Sequence, residues 1–460
     1  MPDDPINLVR IQETGQAIDA LDRLLTSWLD RRAKKDTRKQ YKTLLSTLQT
    51  QLVALLDEVR LSMKPVSASS NRGDVYAACR LNDKRLLWIE RLWVYFKDKF
   101  DQREDPVYGP LLAAADEVVW SCYAAPFRET GAAHGAAPLP WVAAEYSPKA
   151  LARSRVPQDL QNDVDGEFLS KMLEELPVPL VNIPPNCTRE PWWLVYLAHE
   201  VGHHVQYDLL PKQKLVDDFR EIVKSAIGDE DAAERWQYRG EEIFADVFSM
   251  YMTGPWALWA LTELVWTKDA AMIVDDQALY PSPAARLMLM SHVLDDLGFD
   301  GATARRNFPS AAILDAAPGD AAIVAAIAKT VMSRALVGGK TFADLCRWNP
   351  SEHQGPTAAV GEWIETFLRD GSRQADEALS AARLAVAGGV AAWAEVSTET
   401  DAQTRVTLQE RLARDLVVAL RNSHEPVERA AQSEPAAAST SSRQLVSLLF
   451  QSDAARLGAW

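Results

Sequence analysis

His199-Glu200-Val201-Gly202-His203, followed downstream by Glu242-Ile243-Phe244-Ala245-Asp246, decides how this chain is read. Residues i and i+4 lie on one face of an α-helix, so the two imidazoles of the first stretch can reach a single metal ion. Glu200 directly follows the first histidine, in reach of a water held beside that ion. Glu242 and Asp246 repeat the spacing on a second helical stretch, about 240 to 252. One of them can complete a three-ligand site with an open fourth position, the other can orient a histidine ligand. Two neutral imidazoles and one carboxylate suit Zn2+.

The first motif lies in a stretch with readable helix limits. Thr188 is placed as an N-cap, Pro191 suits the first turn, and Pro211 stops the helix. Trp193, Val195, Leu197, Val201 and Val205 surround the motif with apolar side chains, as a buried metal site requires. Glu241 competes with Glu242 as third ligand, and Glu242 is preferred because it shares a helix face with Asp246. Gly202 removes a side chain next to the metal, where a substrate backbone approaches. His204 points about 100° away from His203 and reads as a wall or surface residue. A bland alternative is a pair of buried, hydrogen-bonded histidines. A chance match to such a pentapeptide falls in roughly one chain per hundred, so the joint pattern of both motifs carries the reading.

With its HExxH and ExxxD patterns, the chain resembles the gluzincin zinc metallopeptidases, and most closely their Ste24/HtpX-like branch. There the two motifs are followed by His-Pro and then an arginine five residues after the proline. Here Tyr280-Pro281-Ser282-Pro283-Ala284-Ala285-Arg286 keeps the proline and the arginine. The resemblance covers roughly 175 to 295 and implies zinc-dependent hydrolysis of peptide bonds. His199, His203 and Glu242 would be the metal ligands, Glu200 the general base, and Asp246 the partner of a ligating histidine. Arg286 would support the carboxylates or the substrate carbonyl. Tyr280 stands where that branch has histidine, and its phenol would donate to the developing oxyanion. Against this, residues 280 to 286 can also be read as a plain helix start, with Pro283 in the first turn and Arg286 on the surface. That branch consists of integral membrane enzymes, whereas no run of about 18 apolar residues occurs here. Tyr238, Arg239 and His292 are further candidate donors to a carbonyl oxygen, each with a structural reading beside it. Cys187 lies upstream of His199 and reads as a buried thiol rather than an inhibitory ligand.

Working outward, the segment 129 to 190 is rich in Pro and Gly and contains two candidate strands, 140 to 146 and 178 to 185. Prolines at both ends of the second predict an edge strand, where an extended peptide can add. Residues 11 to 62 read as a helical hairpin. Ile11, Ile18, Leu21, Leu25 and Trp28 form one apolar stripe; Leu44, Leu48, Leu52, Leu55 and Val59 form another. The basic run from Arg31 to Lys39 between them reads as a solvated stretch. A loop is expected at 64 to 74, then helices over 82 to 102 and about 107 to 125. Beyond 305 the chain is alanine-rich and helical in pattern. Residues 425 to 443 read as a linker, followed by an apolar terminal segment at 445 to 460.

Of 460 residues, 47% are hydrophobic and 25% charged, a globular composition. The 64 acidic against 49 basic residues give a formal charge of −15, which speaks against a nucleic-acid surface. Four scattered cysteines form no CxxC pair, which fits a reducing cytoplasm. The acidic N-terminus has no apolar signal core.

The expected architecture is therefore mainly α with a small β-sheet (α+β), a zincin-like core with flanking helical regions. Its divisions are an N-terminal hairpin at 1–66, a catalytic domain at 67–305, a helical region at 306–424 and the tail at 425–460. The expected function is a soluble cytoplasmic zinc metalloendopeptidase whose substrate is a protein or peptide. It would have no membrane span, and a partner protein would dock on residues 11–62 or 445–460. Two rivals are a helical scaffold with a structural zinc site, and a protease gated by its helical appendages.

Overall fold

The computed structural model describes residues 3–35, 39–145, 149–151, 178–265, 280–299, 318–349, 381–423 and 446. These are mainly helical, with one small sheet. The chain forms two compact units. One contains Met1–Gln102; the other contains Arg103–Ala152 and Leu180–Val427.

In the first unit, α1 (Pro5–Lys35) and α2 (Lys39–Met63) form the expected hairpin, joined by a third helix, α3 (Arg72–Asp101). The apolar stripes meet: Leu48, Leu52, Leu55 and Val59 are fully buried, as are Leu25 and Trp28. Each such side chain contributes about 1.5–3 kcal/mol of transfer free energy. Ile11, the outermost member of its stripe, is only partly covered. The α3 helix starts earlier than its apolar periodicity announces, because the Asn71 side chain accepts from the Gly73 amide and caps it. The basic run is not wholly solvated. Arg32 is buried and donates at 2.5 Å to Asp101, which also accepts from the Trp28 indole at 3.0 Å.

The second unit is built around α4 (Tyr108–Thr130), buried along most of its length. Against it pack α5 (Leu197–Asp208), whose partner is α8 (Gly240–Thr253), with α6 (Lys214–Ser225) and α7 (Glu230–Gln237) in the connection. Then come α9 (Pro255–Val265), α10 (Pro283–Asp296), α11 (Pro318–Ser333), the single turn α12 (Phe342–Leu345), α13 (Ala382–Val396) and α14 (Ala402–Asn422). The described helices beyond 305 therefore share a unit with the motif helices. Here α13 and α14 touch so closely that a Cβ on Gly389 would lie 2.5 Å from Leu416 Cδ2. No described helix is long and apolar enough to cross a membrane.

The sheet has three strands, β1 (Leu139–Val142), β2 (Lys149–Leu151) and β3 (Leu180–Ile183), in the order β1-β3-β2. β1 runs parallel to β3 and β2 antiparallel to it. The expected edge strand is thus the central one. Pro179 and Pro184 lie just outside the four paired residues, so they cost the ladder no donor. Among the described strands the edges are β1 and β2. Residue 146 of the first candidate strand, and the tail at 425–460 apart from residue 446, lie outside the described residues.

Candidate metal centre

The motif helix starts later than its cap signals suggest. Thr188 ends a short 3-10 turn, its hydroxyl donating to Pro185 O, and Pro191–Tyr196 form a second 3-10 segment before α5 begins at Leu197. The α5 helix ends at Asp208, and Pro211 opens the next turn. Gly202 faces α8, where an added Cβ would lie 3.0 Å from Ala245 Cα and 3.2 Å from Phe248 Cδ1. Its small size therefore serves helix packing rather than a substrate backbone. That close approach carries Glu242 and Asp246 up to the two histidines.

His199, His203 and Glu242 each offer an atom within 4.8 Å of the others. The two imidazole Nε2 atoms face different oxygens of one carboxylate, each at 3.5 Å. A tetrahedral ion with bonds of about 2.1 Å sets its ligands about 3.4 Å apart, so the two imidazole–carboxylate separations suit a single bound metal ion. On its far side His199 Nδ1 lies 3.0 Å from Asp246 Oδ1. Asp246 is buried and gripped by Arg286, whose Nε donates to Oδ2 at 2.8 Å and Nη2 to Oδ1 at 2.7 Å. The same Nη2 lies 3.4 Å from Glu242.

Arg286 reaches this position because α10 starts where the turn residues say. The Ser282 hydroxyl accepts from Ala285 N at 3.2 Å and Pro283 opens the helix. The plain helix start is thus real, but Arg286 turns into the cluster and not to the surface. Tyr280, just before the cap, is 44% exposed and stands outside the buried group.

Electrostatics follow the packing. Burial by itself would lower the His199 imidazole, but its bonds to Asp246 and Glu242 outweigh this and lift its pKa from 6.5 to about 10. His203 is pushed below its ordinary value by burial, against the pull of Glu242. Burial opposes ionisation of both carboxylates, yet His203 and Arg286 hold Glu242 well below the usual range, and Arg286 and His199 do the same for Asp246. Without metal, a protonated His199 and Arg286 balance these two carboxylates.

Glu200 is 6% exposed, and one of its oxygens accepts from the backbone amide of Ala150 in the edge strand β2. Ala150 pairs with Val181, so the strand is fixed on one side by β3 and reaches Glu200 from the other. His204 is buried rather than exposed, and its Nε2 meets Leu180 O at 3.1 Å, tying α5 to β3. Glu241 points away from the cluster to the Tyr207 hydroxyl and to Arg220, whose Nη2 donates to it at 2.8 Å. The other candidate donors are elsewhere. Tyr238 is exposed and bonds Glu234 at 3.4 Å, Arg239 is buried over the Trp236 ring, and His292 is exposed. Cys187 is buried, which pushes its thiol up to about 12 and leaves it an inert, protonated group.

One neighbour escaped the sequence reading. Tyr196 is 6% exposed and packs edge-on to the His199 ring, with centroids 6.5 Å apart. It stands three residues before His199, a spacing that puts it on the same side of the chain.

Comparison with known proteins found no matching family model, no matching curated protein and no matching solved structure.

Proposed function

We propose that this chain is a zinc-dependent metallopeptidase with a gluzincin-type, zincin-like centre. One observation carries the reading. The three donors of His199, His203 and Glu242 gather within 4.8 Å, with Asp246 on the rear nitrogen of His199 and Glu200 next to it in the chain. A structural site needs ligands alone; this one also has an acid–base group and a buried system that orients a ligand.

Zinc bound to His199, His203 and Glu242 would act as a Lewis acid that activates water and polarises a carbonyl. The remaining work belongs to the chain. Glu200 takes the proton from the attacking water and delivers it to the leaving amine. The Ala150 amide holds one Glu200 oxygen, so the other is the one presented for proton transfer. Asp246 fixes His199 with Nδ1 protonated and Nε2 toward the metal, and Arg286 fixes Asp246. Tyr280 is the candidate donor to the carbonyl oxygen. The test is metal content and peptide cleavage of the purified chain beside Glu200→Gln. Retained zinc with cleavage lost supports the reading; equal cleavage by both proteins defeats it.

A further inference from the structure

Beside His199 and Asp246 lies a cavity of about 10 Å³. Apolar side chains from two helices, α9 and α10, and from Val195 line it together with His199 and three oxygen-bearing residues, Tyr196, Asp246 and Ser249. The Tyr196 hydroxyl is fully buried and has no hydrogen-bond partner among the described residues. A buried donor left unpaired is costly, and Tyr196 lines a cavity with room for a single water.

The neighbouring polar groups have capacity to spare. Among the described residues, Asp246 Oδ1 takes His199 and Arg286, while Oδ2 takes only the Arg286 Nε. The Ser249 hydroxyl donates to the Asp246 backbone carbonyl at 2.7 Å, which leaves its oxygen able to accept. Resting on the metal-centre reading, we infer that the cavity binds one structural water and that Tyr196 is a positioning residue acting through it. The water accepts from the Tyr196 hydroxyl and donates to Asp246 Oδ2 and Ser249 Oγ. Three bonds are the usual complement of a buried water. The link extends the His199–Asp246–Arg286 chain to Tyr196 and Ser249 and adds a second restraint on the Asp246 carboxylate.

The test combines a high-resolution crystal structure of the full metal-free chain with metal titration of wild type, Tyr196→Phe and Ser249→Ala. The expected result is ordered density touching the three named groups and lost in Tyr196→Phe. That variant should bind zinc roughly tenfold more weakly, the effect typical of an outer hydrogen-bond partner. Its cobalt(II)-loaded form should show shifted visible bands, a response to ligand orientation that mere loss of stability does not produce. A dry cavity, or wild-type zinc affinity and cobalt spectrum in Tyr196→Phe, overturns the inference. None of these readouts involves cleavage, so a chain that shows them yet cuts no peptide defeats the proposed function and leaves the positioning role standing.

Discussion

Asp246→Ala is the perturbation whose cost the geometry defines best. Asp246 is 1% exposed in its side chain and takes two Arg286 donors at 2.7 and 2.8 Å, with His199 Nδ1 at 3.0 Å. Removing it strands a buried guanidinium whose other carboxylate, Glu242, is 3.4 Å away. Breaking a buried pair from one side costs about 3–5 kcal/mol. Replacing both partners, Asp246→Ala with Arg286→Met, removes the stranded charge as well. The double variant should therefore be more stable than the sum of single losses predicts, by about 1–3 kcal/mol. The assay is urea unfolding of the metal-free chain, followed by tryptophan fluorescence and circular dichroism. The pH dependence supplies a second check. Glu242 and Asp246 have lowered pKa values, so their contribution is complete above the ordinary carboxylate range and lost as pH falls below it. His199 is raised from 6.5 to about 10, so its contribution is complete below 6.5 and lost as pH rises toward 10. Asp246→Ala should flatten that alkaline limb. Additive losses within about 0.5 kcal/mol, or an unchanged alkaline limb, would refute the reasoning.

Zinc uptake at pH 7 should release close to one proton per chain, because His199 is protonated without metal and His203 is not; calorimetry in buffers of different ionisation enthalpy counts it. Gly202→Ala should destabilise the chain by about 1–3 kcal/mol through its clash with Ala245 and weaken zinc binding with it; a denaturation midpoint within error of wild type would contradict this. Tyr280→Phe should lower kcat with little change in KM if the phenol stabilises the carbonyl oxygen, and unchanged kinetics would remove it from the mechanism.

What could be read from the sequence was what a helix repeats. Spacings of four placed His199 with His203 and Glu242 with Asp246, and coordination chemistry picked out the three donors that the fold gathers. The Leu44–Val59 stripe likewise announced its own burial. What stayed hidden depended on contacts between distant segments. Pro179 and Pro184 suggested an edge, but whether a proline harms a strand depends on which four residues pair, and register is a tertiary property. Gly202 gave no sign that Ala245 would lie against it. Arg32 looked like one of a solvated basic run until Asp101 on α3 reached it. Arg286 had two readings, and the choice between them rested on where α10 packs against α8. Tyr196 carried a weak signal in its spacing to His199, masked because its segment is 3-10 rather than α-helical.

The most direct test of the central claim is a comparison of new protein N-termini in cells expressing the wild-type chain or Glu200→Gln, with zinc content measured for both purified proteins. The account predicts equal zinc and a set of cleavage sites seen only with wild type. Identical N-termini from the two proteins, both carrying zinc, would contradict it.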